Sequence, residues 1–348
     1  MRTLRLCLGT LALDGEPVSS ALQRDPALLE AARILRGGGL VAFPTETVYG
    51  LGANALDTHA VEKIFAAKQR PHWDPVIVHV ADVHSARALS KTWPEAAEQL
   101  AVAFWPGPLT MLLPRTAQIP DICTAGREKV GLRLPAHPVA RALITAAGVP
   151  VAAPSANRFG YTSPTTAEHV LADLDGRIDA ILDAGWCAVG VESTVLDPTT
   201  DPAIIYRPGG ITAEQIRRHL GNVVVAERNL STETPPEALE SPGLGIRHYA
   251  PRARVVLVES QDELKVVLEH EVQDHRVGVL LPREWPMPAV AVSVLRWGSW
   301  GDPELLAREL YGQLRALDEQ NVEVIVCPMP PSAGIGLAVR DRLRKAAK

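Results

Sequence analysis

The sequence predicts an α/β protein in two units: a larger one with a mixed sheet flanked by helices, and a smaller one around a mainly parallel sheet. Three observations carry this. Along residues 1–226, short apolar runs alternate irregularly with amphipathic stretches, and several runs follow one another as hairpin strands do, which disfavours a purely parallel sheet. Residues 227–252 lose all periodicity and hold Thr232-Glu233-Thr234-Pro235-Pro236 and Ser241-Pro242-Gly243-Leu244-Gly245, a breaker-rich linker long enough to have a role of its own. Over residues 253–348 strand and helix patterns alternate more cleanly.

The elements follow in order. Residues 1–13 read as an opening strand; their resemblance to a signal peptide fails because Arg5 interrupts the apolar stretch and no cleavage pattern precedes Asp14. Asp25-Pro26 caps a helix with Leu28, Leu29, Ala32 and Leu35 on one side, stopped by Gly37-Gly38-Gly39. Strand 40–44, helix 58–68 ending before Pro71, strand 76–80, helix 94–105 and strands 109–114 and 130–134 come next. Helix 139–147, strand 150–154, helix 166–174, strands 180–183, 193–197 and 203–206, and helix 212–220 complete the larger unit. The smaller unit reads as strand 255–258, helix 262–271, strands 277–281 and 292–296, helix 303–317, strand 322–327 and helix 337–347.

Composition narrows the function. With 47% hydrophobic and 22% charged residues among 348, the chain can bury a sizeable core, and a net charge of -5 argues against non-specific nucleic-acid binding as its main task. Cys7, Cys123, Cys187 and Cys327 form no CxxC pair, which suits small core residues in a reducing compartment, and no run approaches the roughly 18 apolar residues of a membrane span. A cytoplasmic protein is expected.

Several segments could carry chemistry. Pro44-Thr45-Glu46-Thr47-Val48-Tyr49-Gly50 places hydroxyls, a carboxylate and a phenol at a strand end, which suits a ligand crevice or a polar turn equally. Lys68 and Arg70 either complement a helix C-terminus or clamp phosphate. His79 interrupts an apolar strand as a core histidine or a ligand contact. Arg133 sits inside Val130-Gly131-Leu132-Arg133-Leu134, where a buried guanidinium needs an anion: Glu46, Glu192 or a substrate carboxylate. Arg207 poses the same choice. Ala153-Pro154-Ser155-Ala156-Asn157 and Glu192-Ser193-Thr194 offer small residues and hydroxyls. A Gly-x-Ser-x-Gly elbow, a Walker A loop and a GxGxxG turn are all missing, so a nucleotide would be held by dispersed Arg, Lys and Ser groups.

The order of these segments is specific. PTETVYGLGANA, KQRP followed by VIVH, WPGPLT, LRLPAHP, APSAN, SPT, GVEST and RPGGIT together resemble the threonylcarbamoyl-AMP synthase family over residues 31–220. Arg247-His248-Tyr249-Ala250-Pro251 and Gly334-Ile335-Gly336-Leu337-Ala338 resemble its long form. The resemblance implies a YrdC-like twisted mixed sheet over residues 1–226, a linker 227–252 lying over the active site, and a Rossmann-like domain at 253–348. It implies that L-threonine, bicarbonate (or CO2) and ATP, with Mg2+, give threonylcarbamoyl-AMP and pyrophosphate, and that a separate threonylcarbamoyl transferase then modifies tRNA beside the anticodon. By motif position, Thr47, His79, Arg133, Ala153 and Ser193 hold threonine, and Lys68, Arg70, Asp74, Lys129, Ser155, Asn157, Ser163 and Arg207 surround ATP, with Lys68, Arg70 and Arg207 catalytic.

Three positions depart from the family pattern. Asp74 stands where Asn is usual, and repels a triphosphate unless it engages Mg2+ or a base; Lys129 replaces a small polar residue and could offset Asp74; Gly245-Ile246 removes a Lys and a Tyr that help the linker close. Two alternatives therefore stay open: a YrdC-like homologue with weak or altered synthase activity that binds nucleotide, or weakly RNA, in a basic cleft; and a transferase handling carbamoyl-adenylate. The segment after Ala253 is short for the second.

Overall fold

The computed structural model describes residues 2–9, 21–226, 248–290 and 292–348. In chain order the larger unit holds β1 (Leu4–Cys7), α1 (Pro26–Arg36), β2 (Val41–Phe43), β3 (Gly50–Asn54), α2 (Thr58–Lys68), β4 (Ile77–His79), α3 (Val83–Ala88), α4 (Glu95–Phe104), β5 (Leu109–Pro114), α5 (Asp121–Thr124), β6 (Lys129–Arg133), α6 (Pro138–Ala147), β7 (Val151–Ala152), α7 (Ala167–Leu174), β8 (Ala180–Asp183), β9 (Thr194–Asp197), β10 (Ala203–Arg207), α8 (Ala213–Leu220) and β11 (Val223–Val225). The smaller holds β12 (Arg254–Val258), α9 (Gln261–Glu271), β13 (Val277–Leu281), β14 (Ser293–Arg296), α10 (Pro303–Glu319), β15 (Val324–Pro328) and α11 (Gly336–Ala346).

Eleven strands form the large sheet in the order β1-β8-β2-β3-β7-β4-β6-β5-β9-β10-β11. It is mixed: β4 and β6 are parallel, while β3/β7, β4/β7 and β5/β6 are antiparallel. The second sheet, β12-β15-β13-β14, is parallel throughout. Local signals set the helix ends. Asp25 accepts from Ala27 and Leu28 N–H groups to cap α1, and Thr212 forms a capping box with Gln215 ahead of α8. The buried face of α1 is Leu28, Ala31, Ala32 and Leu35, whereas Leu29, expected on that face, is exposed: at a 3.6-residue period it lies off the stripe.

β3 was not legible as a strand. Its sequence Gly-Leu-Gly-Ala-Asn has low β propensity, but the sheet demands glycine there, since a Cβ on Gly52 would lie 2.8 Å from Phe43 and 2.9 Å from Val151. Cys123, Cys187 and Cys327 are buried in the core, and Cys7 is exposed. Of the linker, residues 227–247 lie outside the described residues, including the Gly245-Ile246 departure. His248, Tyr249 and Ala250 are described and pack against both units: the Ala250 N–H donates to the Gly160 carbonyl and the His248 N–H to the Lys345 carbonyl.

Candidate active site

The carboxyl ends of β2, β4, β6 and β10 converge on one cleft. It is narrow, with about 40 Å³ of space inside its lining. Thr47, Arg70, His79, Arg133, Ala153, Ser155, Ser193 and Arg207 line it, joined by Glu192, His248 and Tyr249.

The loop after β2 is tied by Thr45. Its Oγ1 donates to the Val48 carbonyl at 2.6 Å, accepts from the Thr47 and Val48 N–H groups, and lies 2.8 Å from Thr47 Oγ1. This orients Thr47 and Glu46 toward β6. Arg133 Nη2 donates to Glu46 Oε1 at 2.7 Å and to Thr47 Oγ1 at 3.0 Å, while Glu46 Oε2 also accepts from the Ala136 and His137 N–H groups. The anion expected for Arg133 is therefore Glu46. Burial raises the Glu46 carboxyl's affinity for protons, but the charge and hydrogen bond of Arg133 outweigh it and leave the group below the usual range. His79, paired in register with Arg133, is buried; desolvation and then the Arg133 charge push it down to about 3, so it is neutral.

At the end of β10, Arg207 donates through Nε and Nη2 to the Ser193 carbonyl at 3.1 and 2.9 Å, and Nη2 lies 3.2 Å from Ser193 Oγ. Gly209 permits this approach: a Cβ there would fall 2.3 Å from the Glu192 carbonyl oxygen. Arg70, beyond the left-handed Gln69 (φ 54°) that ends α2, donates to the Asp74 and Pro75 carbonyls and forms a 2.9 Å ion pair with Asp74.

Five expected residues stand behind the lining rather than in it. The Lys68 ammonium is buried and donates to the Ser155 carbonyl at 2.6 Å and the Asn157 carbonyl at 2.5 Å, and Asn157 Nδ2 donates to the Arg158 and Tyr161 carbonyls. Lys68 is thus the strut of the Ser155-Ala156-Asn157 turn; desolvation, then the neighbouring Arg70 charge, holds its proton affinity well below the ordinary lysine value. Ser163 donates to Glu192. Asp74 is fully buried against Arg70. Lys129 does not offset Asp74: its Nζ pairs with Asp197 at 2.5 Å and Thr199 at 2.7 Å beside a separate depression with Leu112 and Tyr206. It does share the face of β6 that carries Arg133, four residues along.

Sequence reasoning missed two contributors from the smaller unit, Tyr311 and Arg342, which bond Glu192. The signal was present: Arg342 interrupts the apolar face Ala338, Val339, Leu343 and Ala346 of α11, as Arg133 interrupts β6.

A cleft lined by buried guanidinium groups, carried by a large mixed sheet and bordered by a second α/β unit, defines an α/β protein of two units suited to an anionic ligand. A family model described as "Telomere recombination" matches residues 33–209, and one described as "Threonylcarbamoyl-AMP synthase, C-terminal domain" matches residues 211–348. A Bacillus subtilis threonylcarbamoyl-AMP synthase is 46% identical over 93% of this chain and 93% of its own length. The crystal structure of Pyrococcus abyssi Sua5 complexed with L-threonine superposes with a TM-score of 0.86 at 39% identity, covering 100% of this chain and 98% of that one. A shorter Mycobacterium tuberculosis relative is 36% identical over 57% of this chain and 91% of its own length. The chain belongs to the threonylcarbamoyl-AMP synthase family.

Proposed function

We propose that this cleft joins L-threonine, bicarbonate or CO2, and ATP into threonylcarbamoyl-AMP. Threonine and CO2 give a carbamate; its oxygen attacks the α-phosphorus of ATP, the bond to the β-phosphate oxygen breaks, and pyrophosphate leaves. The observation that carries this reading is Arg133. Its Nε and Nη2 engage Gly107, Glu46 and Thr47, which locks the guanidinium plane at the cleft wall, where it can meet a carboxylate. Neutral His79, the Ala153 methyl and Ser193 then surround the rest of threonine.

Arg70, Ser155 and Arg207 line the side assigned to the phosphates, where fixed guanidinium groups stabilise the charge of a pentavalent phosphorus without reorganising. Lys68 and Asn157 hold the turn that presents Ser155, and Ser163 acts through Glu192. Among the described residues no three His, Cys, Asp or Glu side chains gather to hold a metal, so Mg2+ would arrive on the nucleotide. The reaction needs no protein nucleophile; positioning and charge neutralisation suffice. The product would pass to a transferase acting on tRNA beside the anticodon, in the cytoplasm; no described helix is long and apolar enough to cross a membrane. The test is pyrophosphate release that requires both threonine and bicarbonate. Release that ignores either substrate refutes the proposal.

A further inference from the structure

Glu192 is an awkward residue for an ATP site: a carboxylate in the cleft wall, on the side assigned to the phosphates. It is 6% exposed, and three groups converge on it. Ser163 Oγ donates to Oε1 at 2.5 Å, Tyr311 Oη lies 2.9 Å from Oε2, and Arg342 Nε donates to Oε2 at 2.7 Å. Only Ser163 belongs to the larger unit. Tyr311 comes from α10 and Arg342 from α11, across 119 and 150 residues of chain.

The contact is built into the backbone. Gly190 (φ +78°) lies against α10 so closely that a Cβ would be 2.3 Å from Arg308 Cα. The Val189 and Gly190 N–H groups donate to the Glu46 and Thr47 carbonyls, and Val48 and Val191 belong to the same apolar cluster as Leu310 and Tyr311. Arg315, one turn beyond Tyr311, donates to the Thr162 carbonyl and pairs with Asp173. The Arg342 guanidinium also lies 5.0 Å above the Tyr249 ring, which stacks on Tyr311.

We propose that Arg342 and Tyr311 are positioning residues of the cleft: the C-terminal unit delivers a buried cation and a hydroxyl that hold Glu192 and neutralise it, leaving Arg207 to face the nucleotide phosphates. This rests on the synthase reading above. Arg342 and Arg207 both act on the Glu192 carboxylate, Arg342 more strongly, and their charges together with the hydrogen bonds overcome burial and keep it ionised. Without Arg342 the carboxylate would turn its charge on Arg207 and on the incoming phosphates. A member of the family lacking this unit has no α11 with which to balance such a glutamate.

The experiment compares Arg342→Met, Tyr311→Phe, Glu192→Gln and the Arg342→Met/Glu192→Gln pair, each confirmed folded by circular dichroism, by pyrophosphate release and threonine titration. Arg342→Met should lower kcat/KM for ATP by about tenfold or more, on the scale of losing a charge-assisted hydrogen bond, while threonine affinity stays within about threefold. Tyr311→Phe, which keeps the ring stack, should lower it by about threefold. Adding Glu192→Gln to Arg342→Met should recover most of the loss. The proposal is overturned by unchanged ATP kinetics in Arg342→Met, by an equal loss of threonine affinity, or by a pair no better than Arg342→Met. Should Arg342→Met not fold, wild-type ATP kinetics in Tyr311→Phe overturn it. A wild-type chain that makes no threonine-dependent pyrophosphate refutes the synthase reading instead.

Discussion

Replacing Arg133 separates its two jobs, holding the wall and holding a ligand. In Arg133→Met the Glu46 carboxylate keeps the Ala136 and His137 N–H groups but loses its guanidinium bond, the 2.7 Å contact with Nη2, inside a site where both side chains are at most 10% exposed. Breaking one half of a buried pair costs about 3–5 kcal/mol. That loss should appear as a lower urea midpoint with an unchanged slope. Adding Glu46→Gln removes the stranded charge while leaving an acceptor for the same N–H groups, and should restore most of the stability. Threonine binding should not return. A charge-assisted carboxylate contact contributes about 1.5–3 kcal/mol, so affinity should fall by roughly 10- to 150-fold in the single and double variants alike. Isothermal titration reads this directly. A double variant that binds threonine as tightly as wild type would refute Arg133 as the carboxylate partner and return it to a purely structural role.

Asp74→Asn should tighten ATP binding several-fold by freeing Arg70 from its 2.9 Å carboxylate, while lowering the melting temperature of the nucleotide-free protein; thermal shift with and without ATP checks both. Buried His79 titrates far below its unfolded value. Between pH 6.5 and about 3 the unfolded chain therefore binds the proton that the folded chain refuses, and stability falls as pH drops through that window. His79→Gln should flatten the slope of stability against pH between 6.5 and 5 by up to one proton's share, and an unchanged slope would contradict burial of a neutral imidazole. Gly209→Ala should be severe. Its Cβ would meet the backbone of Glu192, Ser193 and Thr194, at 2.3–2.4 Å, so Arg207 and Ser193 must separate. A loss of about 1–3 kcal/mol in stability is expected, with a larger loss of ATP turnover.

Where local chemistry decides, the sequence was readable. Capping residues, glycine stops and apolar periods located most helices and strands, and the cation in an apolar strand singled out Arg133. Its partner stayed undecided because Glu46 and Glu192 are equivalent as residue types; only the fold brings Glu46 to 2.7 Å from Arg133 and sends Glu192 to Arg342. Motif position likewise could not distinguish groups that face the cleft from groups that brace it. Lys68, Asn157 and Ser163 were expected around ATP, yet the Lys68 ammonium and the Asn157 amide nitrogen are engaged by carbonyls and the Ser163 hydroxyl by Glu192. The short strand β3 was hidden because its glycines answer to neighbours distant in sequence, Phe43 and Val151, rather than to any period of their own.

The tether through Thr45 reaches further than the shape of one loop. Thr45 has a single hydroxyl proton, and the 2.6 Å contact with the Val48 carbonyl takes it. In the 2.8 Å contact between the two threonines the proton must then come from Thr47, whose oxygen already receives Arg133 Nη2. Thr47 therefore has no proton left for a guest. It would then present one lone pair, so a visiting group that brings an N–H or O–H should fit at that point better than one that brings only lone pairs.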